Sequence, residues 1–338
     1  MSAVHLSKED ILNEDIRVSI GSLAILHVKD VKLFARPTTI YLMVNERCVF
    51  NCAYCAQARE SKANIENLSR VTWPKEKFAT VLNALEEMPD AYERICFQVV
   101  NGIDSFDKTY AFVEAIREKN IKQPISVAIR EFRVDRLEKL FQAGVERIGL
   151  PLDVVSEKAF QKLRGGNYQK TIAQIVDIGT RFKGHITTHI IVGLDETDRE
   201  LYNALKLLFD NGILVSLFAF TPVKNTPLEN HPKLPLERYR KWQFLRSLFF
   251  KGIPFEPVFS LDEITSIKIN LKEDEIKKLL NDGSNYMTQG CKACNRPFYN
   301  ETPTGPMYNF PMMPKEVPKI ADAFVKEVSD GSIQFKEN

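Results

Sequence analysis

Three cysteines stand at a spacing that suits a metal cluster. They are Cys48, Cys52 and Cys55, in the octad Cys48-Val49-Phe50-Asn51-Cys52-Ala53-Tyr54-Cys55. The octad directly follows an apolar run, Thr39-Ile40-Tyr41-Leu42-Met43-Val44, which reads as a β-strand. Three thiolates can hold three irons of a cubane iron–sulfur cluster. The fourth iron then lacks a protein ligand and is free to chelate something else, which points to catalysis rather than electron carriage. The bland alternative is a zinc site or an unliganded loop. Structural zinc normally takes four ligands, and no fourth Cys or His stands nearby in the sequence.

The other three cysteines are scattered. Cys291 and Cys294 form a C-x2-C pair in a stretch rich in turn formers and aromatics, and Cys96 lies inside the run Arg94-Ile95-Cys96-Phe97-Gln98-Val99-Val100. Strand alternation puts Ile95, Phe97 and Val99 on one face and Arg94, Cys96, Gln98 and Val100 on the other. The polar company of Cys96 assigns it to a barrel lumen. A tail folded over the barrel mouth would bring Cys291 and Cys294 to Cys96 and allow an auxiliary iron–sulfur cluster, a second [4Fe-4S] cubane. Its fourth position would go to Arg296, Glu301, a Ser or exogenous sulfide. Alternatively, Cys96 is a small buried hydrophobe, and the pair binds zinc or works as a redox dithiol.

The elements that must position these thiols alternate. Strand-like runs at 39–45, 94–100, 125–129, 147–152, 185–192 and 214–221 are each followed by a helical pattern. These helices fall at 74–88, 105–119, 134–143, 156–182 (broken near Gly165-Gly166), 197–211 and 236–251. Repeated strand–helix units predict a parallel sheet with right-handed crossovers. Six units rather than eight predict a partial, TIM-like (β/α)6 barrel. Such folds put their chemistry on loops leaving the C-terminal ends of strands, where the octad lies. Residues 1–38 read as an N-terminal cap, 39–260 as the barrel and 261–338 as a cluster-binding tail. A strand at 255–260 and a charged helix at 272–281 are expected to complete the barrel region, and an amphipathic helix at 314–328 to close the chain. Trp242, Leu245 and Phe249 recur at helical spacing, so the basic-aromatic helix 236–251 is read as packing on the barrel rather than binding nucleic acid.

The bulk properties set bounds. The chain has 338 residues, 44% of them apolar, and a net charge of +2 from 46 basic and 44 acidic side chains. This balance gives no case for nucleic acid. No apolar run approaches the ~20 residues that span a bilayer, and the first ten residues lack a signal-peptide core. Both suggest a cytoplasmic protein.

The octad resembles the cluster motif of the radical S-adenosylmethionine (SAM) superfamily. In that superfamily the open iron chelates SAM, and an electron from the cluster releases a 5′-deoxyadenosyl radical. Over about residues 39–311 the chain is similar to biotin synthase and its relatives. The likeness rests on Cys48 to Gln57 (C-x3-C-A-Y-C-A-Q), His189-Ile190-Ile191-Val192-Gly193-Leu194-Asp195-Glu196, Leu152-Asp153, and Val223-Lys224-Asn225-Thr226-Pro227-Leu228. Cys96 falls where that family carries a cysteine of its sulfur-donating cluster. Other ligands of that cluster are absent: Val127-Ala128-Ile129, Thr187-Thr188-His189 and Phe259-Ser260-Leu261 stand in their places, and Pro151 replaces an Asn. The tail Gly290 to Glu301 looks like archaeal biotin-synthase-like proteins that work in pairs as a lipoyl synthase.

The resemblance implies a sulfurtransferase acting on an octanoyl chain on a carrier lysine, with a second radical SAM protein and an electron donor such as ferredoxin as partners. It implies SAM contacts from Tyr54, Asn101, Gly102, Asp153, Ile191, Glu196, Pro222 and Val223, with Arg130 or Arg164 at the methionine carboxylate. Rival expectations are a biotin synthase-like enzyme on another small substrate, a radical SAM enzyme without sulfur transfer, its second site structural or an electron relay, and a non-catalytic iron–sulfur or zinc protein.

Overall fold

A computed structural model describes residues 8–301, 304–318, 327–329 and 332–334. The chain opens with α1 (Lys8–Asn13), β1 (Asp15–Val18), α2 (Ile20–Ile25) and β2 (Thr39–Val44). A two-strand hairpin, β3 (Asn67–Leu68) and β4 (Val71–Thr72), precedes β5 (Lys75–Lys77) and α3 (Phe78–Glu87). Alternation then sets in: β6 (Arg94–Val99), α4 (Ser105–Glu118), β7 (Ile125–Ala128), α5 (Val134–Gln142) and β8 (Val145–Gly149). It continues with α6 (Glu157–Ala159), α7 (Tyr168–Arg181), β9 (Ile186–Val192), α8 (Asp198–Asp210), β10 (Leu214–Ala219) and α9 (Leu236–Lys251).

Six strands pair in parallel in the order β10-β9-β8-β7-β6-β2. Among the described residues the sheet does not close, so the fold is an open, partial barrel. Beyond β2 it is extended by β1 and then β5, both antiparallel. The N-terminal segment is therefore stitched into the main sheet by its own strand. Alternation decides the faces as expected. Ile95 and Phe97 are fully buried toward the helices, with Phe97 stacked on Phe112 of α4 at 6.3 Å between centroids. Arg94, Cys96 and Gln98 face inward and line internal cavities.

Four expectations need correction. Pro74 does not open a helix: Lys75–Lys77 form an edge strand, and the helix begins at Phe78. The alternating Lys75-Glu76-Lys77 suits an edge, where charge discourages further pairing. The strand at 255–260, β11, does not join the barrel. It pairs with β12 (Glu263–Ile269) in a separate antiparallel sheet, completed by β13 (Glu327–Ser329) and β14 (Ser332–Gln334), with α10 (Glu273–Leu280) after β12. The closing helix at 314–328 is contradicted at its described ends, since 314–318 is irregular and 327–328 is strand; residues 319–326 lie outside the described residues.

The tail also takes another path. It enters from the end where the strands begin and only then reaches the mouth, which Tyr299 and Asn300 line. The Ala293 carbonyl accepts hydrogen bonds from Thr38 and Thr39 at the start of β2, and the Lys292 carbonyl accepts from Arg94 at the start of β6. From there the chain climbs the open side of the barrel. The Arg296 guanidinium lies over Tyr41 of β2 and Phe218 of β10, at 5.8 and 5.2 Å.

Candidate functional site

The octad loop leaves β2 and is pinned from below by two polar side chains. Arg17 of β1, 3% exposed, donates to the carbonyls of Asn45 and Glu46, to that of Ile65, and to Gln57 Oε1. Gln57 donates to the Ile65 and Asn67 carbonyls. Loop backbone groups that no strand satisfies are thereby paired. Neither role was visible in the sequence, although Gln57 closes the quoted motif.

Cys48, Cys52 and Cys55 line one cavity of about 230 Å3 at the C-terminal ends of the parallel strands. Burial raises the thiol pKa of Cys52, with the charge of Asp153 adding to it. Burial, then Cys52, pushes Cys55 up to about 12. Three soft, crowded and half-buried thiols suit a cationic iron–sulfur centre. Three buried polar atoms of its lining residues have no hydrogen-bond partner: Arg164 Nη1, Arg296 Nε and Asn300 Oδ1. Buried polar groups are normally satisfied, so these await a polar ligand. The residues fit a three-thiolate cluster with a polar molecule beside it.

Opposite the thiols stands Asp153, which ends the fourth parallel strand region with φ +65°. Its carboxylate accepts from Tyr54 Oη at 2.7 Å and Arg164 Nε at 3.3 Å, and pairs with His189 Nε2 at 2.7 Å. Burial works to raise the Asp153 pKa. His189, Arg164 and the Tyr54 hydrogen bond outweigh it and hold the acid well below the usual carboxylate range. Asp153 is thus a fixed anion aimed into the cavity. The importance of His189 lies in this contact.

The other expected SAM residues divide. Asn101, Arg130, Ile191 and Val223 line the cavity. Asn101 also joins two strand ends, through Nδ2 to the Arg130 carbonyl at 3.2 Å, and the Arg130 guanidinium stacks on Phe50 at 3.7 Å. Gly102, Pro222 and Glu196 are not among the lining residues. A Cβ at Gly102 would meet Asn45 Nδ2 at 2.9 Å, so Gly102 packs away from the site. The Glu196 carboxylate accepts from the Gly193 and Leu194 amides and pairs with Arg238, so it braces the loop after β9.

The remaining thiols do come together. Cys96, Cys291 and Cys294 line a smaller cavity of about 50 Å3 deeper in the lumen. The two cavities share Ala128, His189, Phe218 and Arg296 as a common wall. Gln98 Nε2 donates to Cys96 Sγ at 3.1 Å, and Tyr41 Oη lies 3.6 Å from Cys294 Sγ. Burial raises the Cys96 thiol and, with Cys294 beside it, pushes Cys291 up to about 11. Gly290 has φ +148°, and a Cβ there would come within 3.4 Å of Cys294 Sγ and of Ser216 Oγ. The glycine therefore leaves room beside the thiols. Of the expected fourth ligands, Arg296 lines this cavity and two serines, Ser126 and Ser216, lie in its wall, whereas Glu301 accepts from the Asn300 and Asn309 amides. Among the described residues no three Cys, His, Asp or Glu converge on a single metal ion. In a cluster, each thiolate has its own iron.

Comparison with known proteins agrees with the motif. The signature of the Radical SAM superfamily matches residues 42–208. Lipoyl synthase of Buchnera aphidicola is 25% identical over 216 residues, covering 61% of this chain and 62% of that protein. Biotin synthase of Hydrogenobaculum is 24% identical over 188 residues, covering 55% of this chain and 56% of that protein. The matches thus span less than two thirds of either relative. Among solved structures, HydG, a maturase of the [FeFe]-hydrogenase, superposes with a TM-score of 0.49 at 17% identity, over 72% of this chain and 55% of that one. No helix among the described residues is long and apolar enough to cross a membrane.

Proposed function

We propose, from the premise that residues 42–208 form a radical SAM domain related to lipoyl and biotin synthases, that this protein is a sulfurtransferase. It would place sulfur at an unactivated C–H carbon of an octanoyl chain carried on a lysine. The observation that carries this reading is the second set of thiols. Cys96, Cys291 and Cys294 line a cavity that shares a wall with the cavity of Cys48, Cys52 and Cys55.

Cys48, Cys52 and Cys55 would hold the [4Fe-4S] cluster that binds SAM; Cys96, Cys291 and Cys294 would hold an auxiliary iron–sulfur cluster. When bound, the first supplies the electron that cleaves SAM to a hydrogen-abstracting radical, and the second supplies sulfide. The chain's own residues bind, orient and seal. Asp153, kept ionised by His189 and Arg164, offers a charged acceptor to ribose hydroxyls. Asn101, Arg130 and Arg164 offer polar groups to the amino-acid end of SAM, while Ile191 and Val223 give it apolar wall. Tyr299 and Arg296 of the tail line the site from the open side of the barrel. We place the protein in the cytoplasm, with a ferredoxin-type donor, an octanoylated carrier and a second radical SAM protein as partners.

One observation favours a second reading. The tail is anchored firmly by Thr38, Thr39 and Arg94, which also suits a purely structural staple at Cys291 and Cys294. The test is to incubate reconstituted protein, SAM and reductant with an octanoyl-lysyl peptide, alone and with a partner radical SAM protein. Mass spectrometry should then show a thiolated peptide. SAM cleavage with no thiolated peptide in either case contradicts the sulfurtransferase reading.

A further inference from the structure

A third cavity, of about 330 Å3, lies between the segment 31–37, the hairpin strand β4 and the tail at Pro297-Phe298. Its volume falls within the roughly 300–1,000 Å3 of small-ligand sites. Val31, Leu33, Phe34, Val71, Trp73 and Phe298 are its larger apolar lining residues, and no carboxylate lines it. At the outer end Phe34 is 72% exposed and meets Phe298 edge-on at 5.6 Å between centroids. The cations Lys32 and Arg70 stand there too, both exposed.

The inner end is more telling. Gln98, Arg296 and Tyr299 line both this cavity and the cavity of Cys48, Cys52 and Cys55. Arg296 also lines the cavity of Cys96, Cys291 and Cys294. A chain-like ligand in the third cavity therefore points its far end at the place where the two thiol cavities meet. Two N–H groups lack acceptors along this path: Trp73 Nε1, on a side chain 2% exposed, and Arg296 Nε. Buried donors are normally paired, and a ligand carbonyl would pair one of these. A hydrocarbon with one carbonyl matches the apolar stretch of this wall and the two unpaired donors.

We infer that this cavity is the acyl-chain site. It takes a saturated chain of medium length in amide linkage, supplies the Trp73 N–H for the carbonyl, and directs the distal carbons to Gln98, Arg296 and Tyr299. The lysine and its carrier remain outside, against Lys32 and Arg70. This inference rests on the functional reading above and adds to it the route and the residues that select the chain.

The test uses the full reconstituted protein with SAM and without reductant, so that nothing turns over. The chain has two tryptophans, Trp73 in this wall and Trp242 buried in α9, so emission reports on the cavity. An octanoyl-lysyl peptide should shift the emission and bind, whereas an acetyl-lysyl peptide should not bind. Free octanoate should bind at least tenfold more weakly than the peptide; equal binding would mean that the site holds a fatty acid and would overturn the amide assignment. Phe34→Glu, at an exposed position, should weaken peptide binding at least tenfold by equilibrium dialysis, and Val71→Glu should do the same. Trp73→Phe should abolish the emission change and weaken binding severalfold. If the Glu variants bind the octanoyl peptide as wild type does, the site is wrong; should wild type still thiolate that peptide, the functional reading survives. If wild type cleaves SAM under reductant yet binds no octanoyl peptide, both fall.

Discussion

At the residue scale, the six thiols separate into two sets with different expected failures. Ala at Cys48, Cys52 or Cys55 should abolish the cluster absorbance that changes on adding SAM, and SAM cleavage with it. Ala at Cys96, Cys291 or Cys294 should leave dithionite-driven cleavage of SAM measurable and remove the thiolated product. Asp153→Asn removes the charge that His189 and Arg164 fix in place. Hydrogen bonds to a charged group are worth roughly 1.5–3 kcal/mol, so SAM binding should weaken by about 10- to 100-fold in a calorimetric titration. The octad was legible because its spacing is local. The contact of His189 with Asp153 was not, since its meaning depends on what the fold sets beside it. Nor does the motif position of Glu196 hint that its carboxylate is taken by the Gly193 and Leu194 amides.

At the scale of elements, α9 shows where periodicity succeeds and where it stops. Trp242 and Leu245 are fully buried as their spacing predicted. The same helix also buries Arg240, Lys241, Gln243 and Arg246, which no apolar pattern announces. Arg240 and Gln243 donate to the Tyr308 carbonyl and Arg246 to that of Val215; for Lys241 the reason lies on α8 and β12. Asp198, fully buried, accepts from Lys241 Nζ at 2.7 Å, Trp242 Nε1 at 2.8 Å and the Ile264 amide at 3.1 Å. One carboxylate thus ties the last barrel helices to the second sheet. Burial works to raise its pKa, but Lys241 and these hydrogen bonds win, and it lies below the ordinary 3.8. A folded-state pKa below the unfolded one gives stability that is complete above the unfolded value and lost as pH falls through the folded one. Asp198→Asn should therefore lower stability by roughly 3–5 kcal/mol near neutrality, as removing one partner of a buried pair does. Its deficit should shrink as the pH is taken below about 4. Denaturant melts across that range check both statements; a mutant as stable as wild type near neutrality would contradict them.

At the scale of the whole molecule, an open barrel leaves a gap between β2 and β10, and the tail fills it. Six strand–helix units in sequence made the open barrel legible. The path of the tail was not, because irregular segments carry no period. Only hydrogen bonds across some 250 positions, such as Thr39 to the Ala293 carbonyl, show that it enters from the end where the strands begin. Replacing both Cys291 and Cys294 by Ala should drop the iron content of reconstituted protein from about eight to about four per chain, counting four irons for each cubane.

The sharpest measurement follows the sulfur itself. The protein is reconstituted with isotopically heavy sulfide, given SAM, reductant, octanoyl-lysyl peptide and unlabelled sulfide in solution, and its peptide product is weighed by mass spectrometry within one turnover. The account predicts heavy sulfur in the peptide, with a matching loss of labile sulfide from wild type. Unlabelled sulfur in the product, or SAM cleaved with the protein's sulfide intact, would contradict it.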